Sequence, residues 1–233
     1  MVSFNNISIK HNTDKGSSSS SGGHCYSEFY DRWFSPIKEK VTDICEIGVW
    51  NGCSLSAFEE YFPNASILGL DLEDKSYLNS NRIKTLQLDQ GNIDQLSETF
   101  KLLNLQNRKF DFILDDGSHD VEHQQLTFGK FFPLVKPGGF YIIEDIGSSY
   151  FNLGQNLYGC KTTQTKINNN TIQFLNQRPF SSIWINTENL NYINEHVDYV
   201  VTFSKTNNLP YSFEFSCINN YPIQSITSII VKK

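Results

Sequence analysis

From residue 42 onward, short apolar runs alternate with amphipathic stretches. TDICEIGV reads as a buried strand, SLSAFEEYF as a helix, SILGLDL as a second strand and KTLQLD as a third. DQLSETFKLL, residues 94–103, has helical spacing, FDFILDD is a fourth strand, DVEHQQLTFGKFF is a helix closed by Pro133, and KPGG turns the chain into a fifth strand, FYIIED. Apolar runs bounded by turn residues mark strands, whereas apolar positions recurring every three or four residues mark helices. Their regular alternation predicts parallel strands joined by right-handed helical crossovers, a doubly wound α/β sheet.

The flanks differ. HCYSEFYDRWFSPIKEK spaces Tyr26, Phe29, Tyr30, Trp33, Phe34 and Ile37 as an amphipathic helix would. Before it, SSSSSGG at residues 17–23 predicts a flexible loop. Residues 1–40 are read as an N-terminal lid or helical segment, and 41–233 as the main domain. After residue 150 an Asn- and Gln-rich region shows only one helical pattern, Thr171 to Gln177. HVDYVVTFSKTNN and QSITSIIVKK then predict an antiparallel strand pair at the sheet edge, the last of seven strands.

At 233 residues and 39% hydrophobic, the chain suits one large domain. A net charge of −6 excludes a general nucleic-acid binder, which needs a basic face. No apolar run approaches the roughly 20 residues of a membrane span, and MVSFNNISIKHNTDKG lacks the layout of a secretory signal. A cytoplasmic protein is expected. Five scattered cysteines, an odd number without metal-finger spacing, fit reduced thiols.

The polar residues at the strand ends carry the chemistry. EIGVWNGCS puts Gly48 and Gly52 between the first strand and its helix, where ligands of open parallel sheets bind. Its GxxxG spacing departs from the GxGxxG of dinucleotide folds. Asp71 ends the second strand, where an acid accepts bonds from a ribose diol. Asp89 and Gln90 follow the third strand, within reach of an adenine or forming a turn. Asp115 and Asp116 end the fourth strand, Glu144 and Asp145 the fifth. If these strands are neighbours, four carboxylates share one crevice, and like charges so close call for a compensating cation. Oxygen donors favour a hard ion such as Mg²⁺. Helix capping by Asp116, Ser118 or Asp120 is the competing explanation. His119 is placed to act as a general base beside the acids, and His123, a turn on, reads as a packing or supporting residue.

EIGVWNGCS, the strand-two Asp71, LDQGN and KPGG together resemble class I S-adenosylmethionine-dependent methyltransferases, whose first motif is a strand followed by ExGxxxG. DDGSHDVEHQ, PLVKPGGFYIIED and TDKG followed by HCY are similar to the metal-dependent macrolide-sugar O-methyltransferases of the mycinamicin and tylosin type, over about Thr13 to Tyr150. That resemblance implies a seven-stranded Rossmann-like sheet. It implies Asp116, Glu144 and Asp145 as metal ligands and His119 as the base. Glu46, Gly48, Gly52, Ser54, Asp71, Asp89 and Gln90 become contacts to S-adenosylmethionine, and Asp115 stays open between the cofactor side, ligation and support. Thr13, Asp14, Lys15 and Tyr26 become a lid over cofactor or substrate, or a frayed terminus. Those antibiotic enzymes carry an additional N-terminal domain without counterpart here, and the serine run spreads TDKG from HCY.

The expected reaction is Mg²⁺-dependent methyl transfer to a hydroxyl of a sugar or glycan, by a protein that binds neither nucleic acid nor membrane; a homo-oligomer is left open. A NAD- or nucleotide-dependent sugar-modifying enzyme is the rival, disfavoured by the GxxxG spacing and the lack of a Tyr-x-x-x-Lys pair. A non-catalytic subunit on the same fold is the other.

Overall fold

The computed structural model describes residues 2–20, 23–150, 152–157, 159–205 and 225–233. Two helices, α1 (Phe4–Lys10) and α2 (Tyr26–Phe34), precede the sheet. Then follow β1 (Asp43–Ile47), α3 (Cys53–Tyr61), β2 (Ser66–Asp71), β3 (Ile83–Gln87), α4 (Ile93–Leu105), β4 (Phe110–Asp115), α5 (Val121–Phe131) and β5 (Val135–Ile143). A small hairpin, β6 (Asn156–Leu157) and β7 (Cys160–Lys161), leads to α6 (Gln164–Asn168), α7 (Thr171–Asn176) and α8 (Thr187–His196). The long strands β8 (Val197–Lys205) and β9 (Ser225–Lys232) close the chain.

Seven strands form one sheet in the order β3-β2-β1-β4-β5-β9-β8. Pairings from β3 through β5 are parallel, and β9 runs antiparallel to both β5 and β8. The expected doubly wound sheet with an antiparallel C-terminal pair is therefore present, with β9 inserted inside and β8 outermost. The end of the first tail segment, residues 206–208, and Gln224 of the second lie outside the described residues, as do Ser21 and Gly22 of the serine-rich loop.

Successive strand side chains point to opposite faces, and the core divides accordingly. Cys45, Ile47, Ile113, Tyr141 and Ile143 pack on the face carrying α4, α5, α7 and α8. Ile44, Phe112, Leu114, Phe140 and Ile142 pack with α1, α2 and α3 on the other. Asparagine and aspartate start the helices: Asn92 Oδ1 accepts from the amides of Asp94 and Gln95, and Asp120 Oδ1 from that of Glu122. Of the candidates for capping α5, Asp120 takes the role.

Two readings need correction. KPGG is not a free turn: it lies inside β5, where the register shifts between Phe110 and Phe112 and Gly138 adopts φ 74°. The N-terminus is not a frayed end either, because Thr13, Lys15 and Tyr26 are buried and Phe4 is 0% exposed. The Phe4 ring stacks on Phe58 and meets Phe34 and Tyr61 edge to face. Helix α1, unread in the sequence, is thus part of the core. Phe4→Ala should cost about 3–5 kcal/mol, measured by urea denaturation of the whole chain; a loss below 1 kcal/mol would show that the segment contributes little to stability.

Candidate active site

The ladders of β1, β4 and β5 continue past their carboxyl ends. The amide of Asp116 donates to Ile47 O at 2.8 Å, and that of Glu144 to Asp115 O at 2.9 Å. This draws the loop after β1 so close to the loop after β4 that a Cβ on Gly48 would lie 2.1 Å from the carbonyl oxygen of Asp116. With φ at 84°, Gly48 is required both by backbone conformation and by space. Asp71 braces the same loop: Oδ2 accepts from the amides of Val49 (2.8 Å) and Trp50 (3.0 Å), and Oδ1 from that of Glu73 (2.9 Å). Gly52, at φ 81°, turns the chain into α3.

Several expected cofactor residues face inward. Glu46 is 0% exposed and accepts from Ser54 Oγ at 2.7 Å. Gln90 donates to Asp115 Oδ1 at 2.6 Å and accepts from the Ser118 amide at 2.9 Å, fastening the β3 end to the loop after β4. Asp115, 1% exposed, lies within 3.4 Å of the Tyr141 hydroxyl. These side chains shape the crevice from below. Asp89, partly exposed, accepts from the Gly91 amide and borders a groove with Leu72, Gln87 and Gln95. His123 bonds Ser118 Oγ at 2.8 Å, in the supporting position expected of it.

The acids meet the N-terminal segment. Lys15 Nζ lies 2.8 Å from Glu144 Oε2 and 3.8 Å from Glu46 Oε1, and it donates to Asp116 Oδ2. Tyr30 donates to Glu144 Oε1, and Tyr26 to Asp145 Oδ1. His24 Nδ1 stands 3.4 Å from Asp145 Oδ1, and His119 Nε2 stands 3.8 Å from Asp145 Oδ2. The strand explains which acid meets which partner. Glu46, Asp116 and Glu144 continue the alternation of Ile44, Leu114 and Ile142, toward the face that carries α1 and α2. Asp115 follows Ile113 and so meets Tyr141 on the other face.

Backbone bonds hold the segment in place. Asp14, Lys15 and Gly16 carbonyls accept from the amides of His24 (2.7 Å), Ser27 (2.8 Å) and Cys25 (3.0 Å). Residues 13–16 therefore form a wall of the site. His24 and Tyr30 were missed in the sequence. Tyr30 reads in the sequence only as an apolar position of a helix and Tyr26 also as a lid residue, but their spacing of four carries both hydroxyls to adjacent acids.

Burial moves the charges of this cluster. It pushes Glu46 up to about 8 despite Lys15 and the Ser54 bond, and Asp115 up to about 7 despite the Gln90 bond. It raises Asp116 and Glu144 as well, against the pull of Lys15. Burial also opposes the charge of Lys15, but Asp116, Glu144 and Glu46 outweigh it and hold the ammonium protonated. At Asp145 burial loses: the His24 hydrogen bond, the nearby His119 and the Tyr26 hydroxyl keep the carboxyl well below its ordinary range. The bond to Asp145 in turn raises His24.

Asp116, His119 and Asp145 offer donor atoms that all lie within 4.8 Å of one another. Two carboxylates at that separation suit a hard divalent cation, and the imidazole stands beside them. His119 and Asp145 both adopt left-handed backbone, φ 57° and 51°, which non-glycine residues hold only where the surroundings enforce it. Beside His119 a cleft runs between α5 and the chain after β5, walled by Ser149, Cys160, Thr162 and Lys166. Lys166 is fixed there by Asp120 at 2.7 Å. No described helix is long and apolar enough to cross a membrane.

Comparison with known proteins places this arrangement. Residues 45–146 match a family model described as a methyltransferase domain. Mycinamicin VI 2''-O-methyltransferase of Micromonospora griseorubida is 36% identical over 135 residues, 55% of this chain and 33% of that protein. Demethylmacrocin O-methyltransferase of Streptomyces fradiae is 37% identical over the same length and shares. A tetracenomycin-C rhamnosyl 2'-O-methyltransferase of Streptomyces olivaceus is 30% identical over 159 residues, 65% of this chain and 40% of that one. The chain thus spans well under half the length of these relatives. The solved structure of the mycinamycin-pathway methyltransferase MycE in complex with Mg, SAH and mycinamycin VI superposes with a TM-score of 0.68 at 23% identity, covering 99% of this chain and 54% of that one, which bears on the fold. Residues 45–146 are thus similar to a methyltransferase domain, the chain resembles these O-methyltransferases over part of their length, and its fold is like that of MycE.

Proposed function

We propose that this protein transfers a methyl group from S-adenosylmethionine to a hydroxyl of a sugar, on a small molecule or glycan, with Mg²⁺ or another hard divalent cation. The observation that carries the reading is the convergence of Asp116, His119 and Asp145 within 4.8 Å at the ends of β4 and β5, beside the glycine loop of β1. In support, relatives named as O-methyltransferases, one of a rhamnosyl tetracenomycin, match over part of the chain, and MycE was solved with Mg and SAH.

Each residue has a task in this reading. The loop from Gly48 to Gly52, held by Asp71, receives the nucleoside, with Asp89 at the base end of the groove. Asp116 and Asp145 hold the cation, joined by Glu144 from the neighbouring position. When bound, the ion supplies Lewis-acid polarisation and a fixed point for the acceptor. His119, buried and aimed at the same point, takes the proton from the acceptor hydroxyl. The hydroxyl must then face the methyl carbon in line, with Ser149, Thr162 and Lys166 the polar residues on the far side of His119. Glu46, Gln90 and Asp115 hold the loops that carry these groups.

Calorimetric titration should show S-adenosylmethionine binding and no NAD binding, with or without Mg²⁺; failure to bind S-adenosylmethionine would sink the reading. Asp116→Ala should abolish cation-dependent turnover in a folded protein. His119→Ala should slow methyl transfer by about a hundredfold or more while the cation still binds, and a full rate across pH 6–9 would remove His119 from the role of base.

The buried acids also set a pH dependence. Glu46 near 8 and Asp115 near 7 keep protons in the folded chain that the unfolded chain has released. Their stabilisation is complete below about pH 4 and is lost as pH rises through 7 and 8. His24, raised by Asp145, acts in the same direction as it loses its proton. Without divalent cation, Tm should therefore fall between pH 5 and 8. Glu46→Gln should flatten that fall, and a Tm curve unchanged by the substitution would contradict the burial argument.

A further inference from the structure

Lys15 brings a positive charge from a distant part of the chain into the centre of the acid cluster. Its side chain is 1% exposed, and its ammonium donates to Asp116 Oδ2 and to Glu144 Oε2. These are two of the carboxylates read above as cation ligands. An ammonium and a divalent ion cannot take the same oxygens, and in a site with little water their repulsion is strong. The ammonium cannot leave with its backbone, because residues 14–16 are bonded to 24–27 through three amide-to-carbonyl bonds. It can move only on its flexible four-carbon stem. One destination is already present. Glu46 Oε1 lies 3.8 Å from the ammonium and is buried without a hydrogen-bond partner among the described residues. A buried carboxylate oxygen left unpaired is costly, so it draws the ammonium as soon as other contacts loosen.

We propose that Lys15 is a tethered counter-ion with two stations: its ammonium neutralises Asp116 and Glu144 when no divalent cation is bound, and it withdraws to Glu46 when one enters. Lys15 and the cation are thus alternative occupants of the Asp116–Glu144 face, and Lys15 sets how tightly the cation is held. Glu46 sets the same affinity from the opposite side, as the station that accepts the displaced charge. The inference rests on the reading of Asp116, Glu144 and Asp145 as a cation site. It assigns Lys15 and Glu46 to positioning and charge balance rather than to a lid or to cofactor contact.

Titration calorimetry of the whole chain with MgCl₂ at about pH 8.5, where Glu46 is ionised, and at constant ionic strength separates the two readings. Lys15→Met should bind Mg²⁺ at least about tenfold more tightly than the unsubstituted protein, and Lys15→Arg, which keeps the charge, should stay within about threefold. Glu46→Gln, which removes the second station, should bind about tenfold more weakly. If none of the four proteins binds Mg²⁺ at millimolar concentration, the cation site itself is wrong. If the unsubstituted protein binds but Lys15→Met binds equally or more weakly, the cation site stands and the counter-ion proposal falls. Should Lys15→Met fold only in the presence of Mg²⁺, followed by circular dichroism, the ion is replacing the ammonium as proposed. Should it fail to fold at any concentration, Glu46→Gln decides: weakened binding supports the proposal, and unchanged binding overturns it.

Discussion

Buried negative charge at one end of the sheet is the constraint to which the rest of the structure answers. Glu46, Asp115 and Glu144 are each 1% exposed or less, and Asp116 and Asp145 stand beside them. A buried carboxylate is tolerated only when it is hydrogen-bonded and neutralised, or when it keeps its proton. The protein uses all of these devices. Asp115 is held by Gln90 and Tyr141 and raised toward neutrality. Glu46 is satisfied on one oxygen by Ser54. Glu144 has Tyr30 on one oxygen and Lys15 on the other. Most of these partners for the β5 acids come from residues 15–30, so the N-terminal segment and the sheet are parts of one electrostatic unit.

The adjacent acids Glu144 and Asp145 show how one dipeptide yields two chemistries. Strand alternation sends Glu144 toward α1 and α2, where it is enclosed, raised in pKa and bound to an ammonium. Asp145 turns into the crevice with left-handed backbone, where His24, Tyr26 and His119 hold it ionised. The first is a buried charge neutralised by Lys15, while the second stays an anion at the mouth of the site. The same alternation separates Asp115 from Asp116 on β4. Each pair of acids at neighbouring strand ends therefore has one fully buried member, Asp115 or Glu144, and one partly exposed member, Asp116 or Asp145, beside His119.

Much of this was legible in the chain. Periodicity located all five parallel strands and the helices between them, because β1, β2, β4 and β5 carry apolar runs buried on both faces, while β3, at the sheet edge, buries only Ile83. The juxtaposition of Asp116 with Glu144 and Asp145 was expected only through the strand order that the family resemblance implies, which the sheet has. What stayed hidden has a physical cause in each case. Helix α1 has seven residues, and only Phe4, Ile7 and Ser8 are buried, too few for a visible period. Helix α8 fully buries only Ile193, with Leu190 and Tyr192 partly buried against the core and the remaining positions polar. Gln90 and Asp115 looked like ligand contacts since both are polar and lie at strand ends; their mutual bond depends on a separation of 25 residues that no local pattern encodes. Lys15 beside a serine run carried no local sign of burial.

The backbone, rather than the side chains, fixes the donor geometry. Gly48 admits the carbonyl of Asp116 to within a distance that no Cβ would permit, and the amide of Asp116 is tied to Ile47 on the neighbouring strand. Gln90 clamps the next turn through the Ser118 amide. Asp120 then caps α5 and is itself held by Lys166. His119 lies between these two anchors and has little freedom other than the left-handed conformation it adopts. Its imidazole is thereby aimed at Asp145 before any ligand is present, and the cost of that orientation is met during folding. A glycine 71 residues upstream thus takes part in placing the histidine: without the close approach at Gly48, the loop after β4 would have room to relax.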